Sequence, residues 1–274
     1  MKKINRRSFL AAAGLTAAAL ALTACGGSAS STASSTASSA ASSTSAAAEL
    51  TTVEAGKLTM ATNATFPPYE MTTDAGEFEG IDIDTAKAIA EKLGLELQID
   101  DMDFDAALLS VQQGKADIVM AGVTVTDERK AVMDFSDSYA TGIQSIIVPE
   151  GSDITSPDDL AGKKIGTQRG TTGYIYCSDD FGDDAVVAYD DGLTAVQALK
   201  NGQVDAVVID NAPAKEFVAA NPGLVILDTS YAEEDYAIGL AKGSALEDAV
   251  NAALEELKAD GTLQSIVDKY ITAE

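Results

Sequence analysis

The chain contains no histidine and no tryptophan, and only two of its 274 residues are cysteines. The lack of histidine excludes a Ser-His-Asp triad, a histidine general base and a histidine metal site. Cys177 is the only cysteine after residue 25, which excludes a disulfide framework in the body of the protein. Positive charge is scarce as well, since the formal net charge is −25. A surface this acidic excludes electrostatic binding of nucleic acid or of an anionic membrane surface.

The first 24 residues have the pattern of an export signal. A positively charged start precedes an apolar, alanine-rich run from Phe9 to Leu22, which is shorter than the ~20 residues that span a bilayer. Asn5-Arg-Arg-Ser-Phe-Leu10 resembles a twin-arginine signal but departs from it at the first position and at Ala11. Export by the Sec route is therefore the alternative.

The end of this run, Leu22-Thr-Ala-Cys25-Gly-Gly, resembles the lipobox of a bacterial lipoprotein. The resemblance implies cleavage before Cys25 and attachment of a diacylglyceryl group and a further acyl chain such as palmitate to that residue. Two or more acyl chains suffice for stable anchoring. An ordinary signal peptide with an incidental cysteine is the alternative.

Residues 25–48 consist almost entirely of Ser, Ala and Thr, with no aromatic and no charged side chain. Such a segment buries too little apolar surface to offset its ordering entropy, so it is predicted to be a flexible tether. Removal of four positive side chains with the signal moves the net charge from −25 to about −29. About 225 residues follow from Glu49 onward, enough for one large or two small domains.

Short apolar runs that are typical of strands alternate with amphipathic segments that are typical of helices. The predicted strands are Lys57–Ala61, Leu95–Ile99, Asp117–Met120, Lys164–Gly166, Ala185–Tyr189, Ala206–Ile209 and Leu224–Leu227. The predicted helices are Asp82–Leu93, Phe104–Gln113, Leu193–Asn201 and Ala212–Ala219, followed near the C-terminus by Ser244–Asp260 and Thr262–Tyr270. This alternation predicts an α/β protein built from parallel sheets.

One pattern occurs twice in the chain. Leu108-x-x-Val111-x-x-Gly114-x-x-Asp117 matches Val196-x-x-Leu199-x-x-Gly202-x-x-Asp205, and each copy reads as an apolar helix face, a terminating glycine and a buried strand. The repeat indicates two α/β lobes of similar plan, with convergence as the alternative.

Two long β runs, 140–148 and Asp235–Ala241, are predicted to cross between these lobes. The first lobe is then formed by residues 49–142 and 238–274, and the second by residues 143–237. Two lobes joined by two hinge strands form a clamp, and the cleft between them is the natural ligand site.

Arg129 is placed unusually. Thr126 is predicted to be the N-cap of a helix that begins with Asp127 and Glu128, which suit the positive end of the helix dipole. A guanidinium in that first turn is disfavoured unless an anion, such as a ligand carboxylate, completes it. A surface arginine paired with a neighbouring acid is the alternative.

Several motifs together resemble the extracellular solute-binding protein family 3, which holds the polar amino-acid receptors of ABC importers. They are Thr62-Asn-Ala-Thr-Phe-Pro-Pro-Tyr69, Phe78-Glu-Gly-Ile-Asp-Ile-Asp84, Asp103-Phe-Asp105, Ala121-Gly-Val-Thr-Val-Thr-Asp-Glu-Arg-Lys130, Met133-Asp-Phe-Ser-Asp-Ser-Tyr139, Gly170-Thr-Thr172 and Val208-Ile-Asp210. The resemblance covers nearly all of residues 57–272 and is nearest to the glutamine- and basic-amino-acid-binding proteins. It implies the two-lobed periplasmic-binding-protein fold of type II.

The resemblance also implies roles for individual residues. Arg129 would bind the ligand α-carboxylate, together with the backbone N–H groups of Thr124 and of Thr172, just ahead of a helix predicted over Tyr174–Ser178. Asp210 would bind the α-ammonium, together with the Gly122 carbonyl and the Thr124 hydroxyl. The alternative for Asp210 is an N-cap of the following helix.

The remaining implied contacts concern the ligand side chain. Phe66 and Phe104 would sandwich it, although either ring could be an ordinary core residue. Asn63 and Gln168 would line a neutral distal pocket, where a buried cation would lack a charge partner. We therefore expect a neutral polar ligand such as glutamine ahead of cystine or a basic amino acid. If Arg169 turned inward, an acidic ligand would be the alternative.

The sequence as a whole predicts a lipid-anchored, monomeric receptor on the extracytoplasmic face of the cell membrane. It would close around a polar amino acid and deliver it to an ABC permease, without a cofactor or a metal. The acidic runs Asp100–Asp105 and Asp179–Asp184 lack the order of a calcium loop and are predicted to be solvated. Two alternatives are a dehydratase on the same fold, disfavoured because no unpaired acid is expected near Arg129, and the sensor domain of a signalling protein.

Overall fold

A computed structural model describes residues 50–228 and 230–271 of the chain. The predicted signal peptide (1–24) and the tether (25–48), including Cys25, lie outside the described residues. No helix in the described ranges is long and apolar enough to cross a membrane.

The alternation of strands and helices predicted from the sequence is confirmed, with boundaries that differ by one to three residues in most elements. The strands are β1 (Lys57–Thr62), β2 (Thr65–Phe66), β3 (Glu70–Thr72), β4 (Phe78–Glu79), β5 (Glu96–Asp101), β6 (Ile118–Val119), β7 (Met133–Phe135), β8 (Ala140–Pro149), β9 (Ile165–Gln168), β10 (Val186–Tyr189), β11 (Ala206–Asp210), β12 (Leu224–Ile226), β13 (Ala232–Tyr236) and β14 (Gly239–Ala241). The helices are α1 (Ile81–Leu93), α2 (Phe104–Gln112), α3 (Asp127–Lys130), α4 (Thr172–Phe181), α5 (Gly192–Lys200), α6 (Asn211–Ala220), α7 (Glu247–Ala259) and α8 (Thr262–Tyr270).

The first sheet has the strand order β5-β1-β6-β14-β7, with β1 parallel to both β5 and β6. Successive side chains of β1 point to opposite faces. Leu58 and Met60 pack against α1, α7 and α8 on one face, and Ala61 packs against α2 on the other. We call the part of the chain around this sheet the first lobe. A small antiparallel sheet, β2-β3-β4, is inserted between β1 and α1.

The second sheet has the order β10-β9-β11-β8-β12, and β13 also pairs with β8. Strand β9 is parallel to β10 and β11, whereas β8 is antiparallel to its neighbours. Ile147 packs with α5 and α6 on one face, and Ile146 and Val148 pack on the opposite face, where α4 contributes Cys177. We call the part of the chain around this sheet the second lobe.

The two strands that cross between the sheets are β8 and β13, and they pair with each other. Their antiparallel register runs from Tyr236 opposite Ala140 to Ala232 opposite Gln144. A Cβ atom at Gly142 would lie 2.4 Å from the Tyr236 ring, so this crossing requires a glycine. The single run predicted over 235–241 is wrong. The chain leaves the second sheet after Tyr236 and enters the first at Gly239, where the Ile238 N–H donates to the Ser136 hydroxyl.

The repeated pattern has the same structure in both copies. Gly114 and Gly202 have φ values of 65° and 67° and stand two residues after the last residue of α2 and of α5. The aspartate that follows accepts a backbone N–H from β1 in the first lobe and from the residue just before β9 in the second. Asp117 accepts from Thr59 at 2.8 Å, and Asp205 accepts from Lys164 at 2.7 Å. The prediction of two similar α/β plans is therefore confirmed.

Candidate ligand-binding site

All nine residues predicted to contact a ligand line one pocket between the two sheets. The pocket holds about 440 Å³ of empty space, its open mouth included. The first lobe contributes Asn63, Phe66, Phe104, Gly122, Thr124 and Arg129, and the second contributes Gln168, Thr172 and Asp210.

Arg129 is held in the pocket by its own short helix. The Thr126 hydroxyl accepts the Arg129 backbone N–H at 3.2 Å, which confirms the predicted N-cap of α3. The guanidinium is buried, with the residue 8% exposed, and lies 5.4 Å from the centre of the Phe104 ring. It donates to the carbonyl oxygens of Thr124 at 2.8 Å and of Gly170 at 3.1 Å. The alternative of a surface arginine paired with a neighbouring acid is wrong.

Burial gives this guanidinium a need for a counter-charge. Desolvation lowers the pKa of Arg129, and the charge of Glu234 opposes that shift. The guanidinium makes no ion pair with any carboxylate in the described part of the chain, and its fork can donate two parallel bonds to a carboxylate. The site can therefore accept an anionic group at this end.

Asp210 lies at the end of β11, where it is both a helix cap and a pocket residue. Its Oδ1 accepts the Ala212 N–H at 3.0 Å, and its Oδ2 accepts the Ile143 N–H at 2.7 Å. The helix-cap alternative is thus realised, but a carboxylate has about four lone-pair sites, so capacity for a ligand is left. Burial raises the pKa of Asp210 to about 6, against these two hydrogen bonds, which lower it.

Gly122 is part of the pocket wall, and its position requires a glycine. Its φ is 55°, and a Cβ atom there would lie 2.9 Å from the Phe66 ring. The Gly122 N–H donates to Oδ2 of the buried Asp82 at 2.9 Å, and the Tyr139 hydroxyl donates to the same oxygen at 2.8 Å. These bonds hold the 122 peptide in one orientation at the pocket wall.

Thr172 is the first residue of α4, which begins two residues before the predicted position. The cause is Thr171, whose hydroxyl accepts the Tyr174 N–H at 3.3 Å and caps the helix. The Thr172 N–H is therefore among the donors without an intrahelical partner at the helix N-terminus, a place that suits an anion. Across the pocket, the Thr172 hydroxyl lies 3.4 Å from that of Thr124.

The two predicted amides contact each other. Gln168 Nε2 donates to Asn63 Oδ1 at 2.8 Å, and Asn63 Nδ2 donates to the Met102 carbonyl at 2.9 Å. Arg169 turns away from the pocket, because its half-exposed side chain lies 3.4 Å from Asp190. The condition for an acidic ligand, an inward Arg169, is therefore not met.

The sequence analysis missed several pocket residues, of which Glu70 matters most. Glu70 follows Tyr69 at the start of β3, is 0% exposed and lines the pocket, and its carboxyl group interacts with that of the buried Asp82. Burial, followed by the charge of Asp82, holds the pKa of Glu70 well above its usual range. Glu70 is therefore an acid of the pocket that the sequence analysis did not include.

Other missed residues of the pocket wall are polar or aromatic side chains of the crossing strands, Gln144 and Tyr236. The acids of Ala232-Glu-Glu-Asp235 look like a solvated run in the sequence. Strand alternation buries only the middle acid, Glu234, which is 6% exposed. A period-2 reading of this run is the one signal that could have found it.

The protein has two α/β lobes, and the buried pocket between their sheets is lined by both a cation, Arg129, and an acid, Asp210. This is the architecture of a small-molecule binding protein. The sequence profile of the bacterial extracellular solute-binding proteins, family 3, matches residues 58–273. The chain belongs to this family, and it has the type II periplasmic-binding-protein fold and a substrate-binding role.

Individual relatives agree with this assignment. The chain is 33% identical over 279 residues to a probable histidine-binding protein of Neisseria gonorrhoeae, covering 99% of this chain and 98% of the relative. It is 33% identical to the L-cystine-binding protein TcyJ of Escherichia coli K12, covering 81% and 85%. The solved structure of an ancestral arginine-binding protein bound to glutamine has a TM-score of 0.76 and 44% identity, covering 80% of this chain and 99% of that one.

Proposed function

We propose that this protein binds a free polar amino acid between lobes that divide at 142/143 and 237/238. One observation carries the proposal: the buried Arg129 of the first lobe and the buried Asp210 of the second line the same pocket. The α-carboxylate would accept from Arg129 and from the backbone N–H groups of Thr124 and Thr172. The α-ammonium would donate to Asp210, to the Gly122 carbonyl and to the Thr124 hydroxyl.

A ligand bound in this way would stabilise the closed clamp, because it touches both lobes. Contacts between the described residues of the two lobes already include Arg129 to the Gly170 carbonyl at 3.1 Å, Gln168 to Asn63 at 2.8 Å, and the Thr124 and Thr172 hydroxyls at 3.4 Å. A ligand carboxylate would add to these bonds the attraction of an opposite charge for the Arg129 guanidinium, which a neutral carbonyl does not supply. Phe66 and Phe104 would hold the ligand side chain between them.

Two classes of ligand fit the distal end of the pocket, each on a different observation. The amide pair of Asn63 and Gln168 favours a neutral polar side chain such as that of glutamine. Glu70, a buried acid of the pocket lining, favours a cation such as the arginine guanidinium, because its carboxylate would be the charge partner of that cation. The relatives include both kinds of named ligand.

The test of the function is a thermal-shift screen of the purified protein against all proteinogenic amino acids and cystine. A ligand that binds only the native state raises the unfolding midpoint, and at equal concentration a tighter ligand raises it further. We expect glutamine or a basic amino acid to give the largest shift. If no amino acid raises the midpoint, the proposed function is wrong.

Glu70→Gln separates the two classes of ligand. The variant keeps the size of the side chain and removes its acid, so arginine should lose about 2 kcal/mol or more of binding free energy, because its buried charge then lacks a partner. Glutamine should change by less than about 1 kcal/mol. Calorimetric titration of both amino acids into both proteins measures the difference, and equal effects would refute the distal assignment of Glu70.

The anchor and the partner belong to the same proposal. Acylation of Cys25 would hold the protein at the extracytoplasmic face of the cell membrane, and residues 25–48 would tether it within reach of an ABC permease. We expect a monomer in solution. Cys25→Ser should abolish palmitate labelling and move the protein from the membrane fraction to the soluble one, and a variant that stays in the membrane fraction would refute the anchor.

One observation favours a dehydratase as a second candidate. Such an enzyme needs a carboxylic acid that keeps its proton, and the raised pKa of Glu70 meets that need. Against it, the relatives reported above are named as binding proteins. Incubation with prephenate, monitored by ultraviolet absorbance, separates the two functions, because only the enzyme turns the substrate over.

A further inference from the structure

A buried carboxylate stands directly behind the pocket wall, on the crossing strand β13. Glu234 is 6% exposed, whereas Glu233 and Asp235 on either side are exposed. Its Oε2 accepts a hydrogen bond from the Thr124 hydroxyl at 3.1 Å and another from Gln144 Nε2 at 3.0 Å. A single carboxylate oxygen therefore holds one polar side chain from each lobe.

These bonds determine what the Thr124 hydroxyl can do in the pocket. A threonine hydroxyl has one hydrogen to donate and two lone pairs that accept. A carboxylate oxygen only accepts, so the hydrogen of Thr124 points at Glu234 and its lone pairs remain for other neighbours. Thr124 lines the pocket. An ammonium group only donates, so it matches an oxygen held in this way.

The charge of Glu234 acts in the same direction. It is the first of the charges that oppose the lowering of the Arg129 pKa by burial. Burial, followed by the Glu234 charge, also raises the pKa of the Tyr176 hydroxyl to about 12. Glu234 thus makes this end of the pocket more favourable for positive charge, whether it belongs to Arg129 or to a ligand ammonium.

We propose that Glu234 is a positioning residue for the α-ammonium of the ligand, because it holds the Thr124 hydroxyl as an acceptor. The inference rests on the proposed amino-acid binding and assigns a role to a residue that itself does not line the pocket. In Glu234→Gln the amide can donate to Thr124, so the hydroxyl hydrogen is free to turn toward the ammonium.

The experiment is a double-mutant cycle by calorimetry on the wild type, Glu234→Gln, Thr124→Val and the double variant. The probe is whichever of L-arginine, L-glutamine, L-histidine and L-cystine gives the largest thermal shift. We expect Glu234→Gln to weaken binding about tenfold to hundredfold in the wild type and less than about threefold when Thr124 is already valine. Glu233→Gln, which removes an exposed acid from the same strand, is the matched control and should change affinity less than about twofold.

A second measurement uses the probe without its α-amino group, such as 5-guanidinopentanoate for arginine or 4-carbamoylbutanoate for glutamine. The thermal shift that this analogue produces should be the same in the wild type and in Glu234→Gln. Equal loss of affinity with and without the Thr124 hydroxyl, or equal loss for the amino acid and its analogue, would show a general structural role and overturn the proposal. Unchanged affinity in Glu234→Gln would overturn it too. If the wild type binds none of the four amino acids, the proposed function itself fails, and this role fails with it.

Discussion

Arg129→Ala removes the only cation among the residues that line the pocket. In the wild type, a ligand carboxylate would meet a guanidinium that is 8% exposed and has no ion-pair partner in the described part of the chain. Truncating one member of such a buried, hydrogen-bonded charge pair costs about 2–5 kcal/mol of binding free energy. The dissociation constant should therefore rise roughly 30-fold to several-thousand-fold.

The same substitution should leave the ligand-free protein almost as stable as before. Two charge-assisted hydrogen bonds, to the carbonyls of Thr124 and Gly170, are lost, and each contributes about 1.5–3 kcal/mol. Relief from burying an unpaired guanidinium opposes this loss by several kcal/mol. The two effects nearly cancel, so we expect the unfolding midpoint to move by no more than about 5 °C.

The assay is calorimetric titration of the preferred amino acid, together with a thermal melt of the empty protein. Arg169→Ala is the matched control, because this neighbouring arginine is half exposed and pairs with Asp190 only at the surface. A surface pair contributes 0–1 kcal/mol to stability, and Arg169 does not line the pocket, so its removal should leave affinity unchanged within about twofold. Normal binding by Arg129→Ala, or a midpoint lowered by far more than 5 °C, would refute the reasoning.

Further predictions concern the buried acids and the glycine between them. Asp210→Asn keeps an N-cap residue but removes the charge, so calorimetry should show at least a tenfold loss of affinity while the melting midpoint stays within a few degrees. Because burial raises the pKa of Asp210 to about 6, lowering the pH from 7 to 5 should weaken binding about tenfold, and pH-independent binding would exclude its ionised form as the ammonium partner. Burial also raises the pKa of Asp82 to about 6. The folded protein then takes up protons that the unfolded chain does not, and the empty protein should gain about 1 kcal/mol per such group between pH 7 and pH 5, measured by urea denaturation; a loss of stability over this range would contradict the sign. Gly122→Ala places a Cβ atom against the Phe66 ring and should weaken binding at least tenfold by calorimetry, with intact binding as the contrary result.

Most of the fold could be predicted from local sequence patterns. Apolar runs of period 2 and period 3.6 predicted the strands and helices, because burial on one face imposes those periods wherever a sheet meets a helix. The cap at Thr126 and the stops at Gly114 and Gly202 were readable for the same local reason. The break between β13 and β14 after Tyr236 could not be predicted, because Asp235–Ala241 is one continuous β run in the sequence. It divides because its two ends pair with strands of different sheets.

What the sequence by itself determined is the type of protein: an α/β chain with two similar halves, no histidine chemistry, and an arginine placed where only an anion suits it. Tertiary structure alone decided which acids matter. Glu70 and Glu234 resemble any other acid among the 43 acidic residues of the chain, and only their burial beside the pocket distinguishes them. The physical reason is that the cost and the usefulness of a charge depend on its solvation, and solvation is set by neighbours that are distant in the sequence.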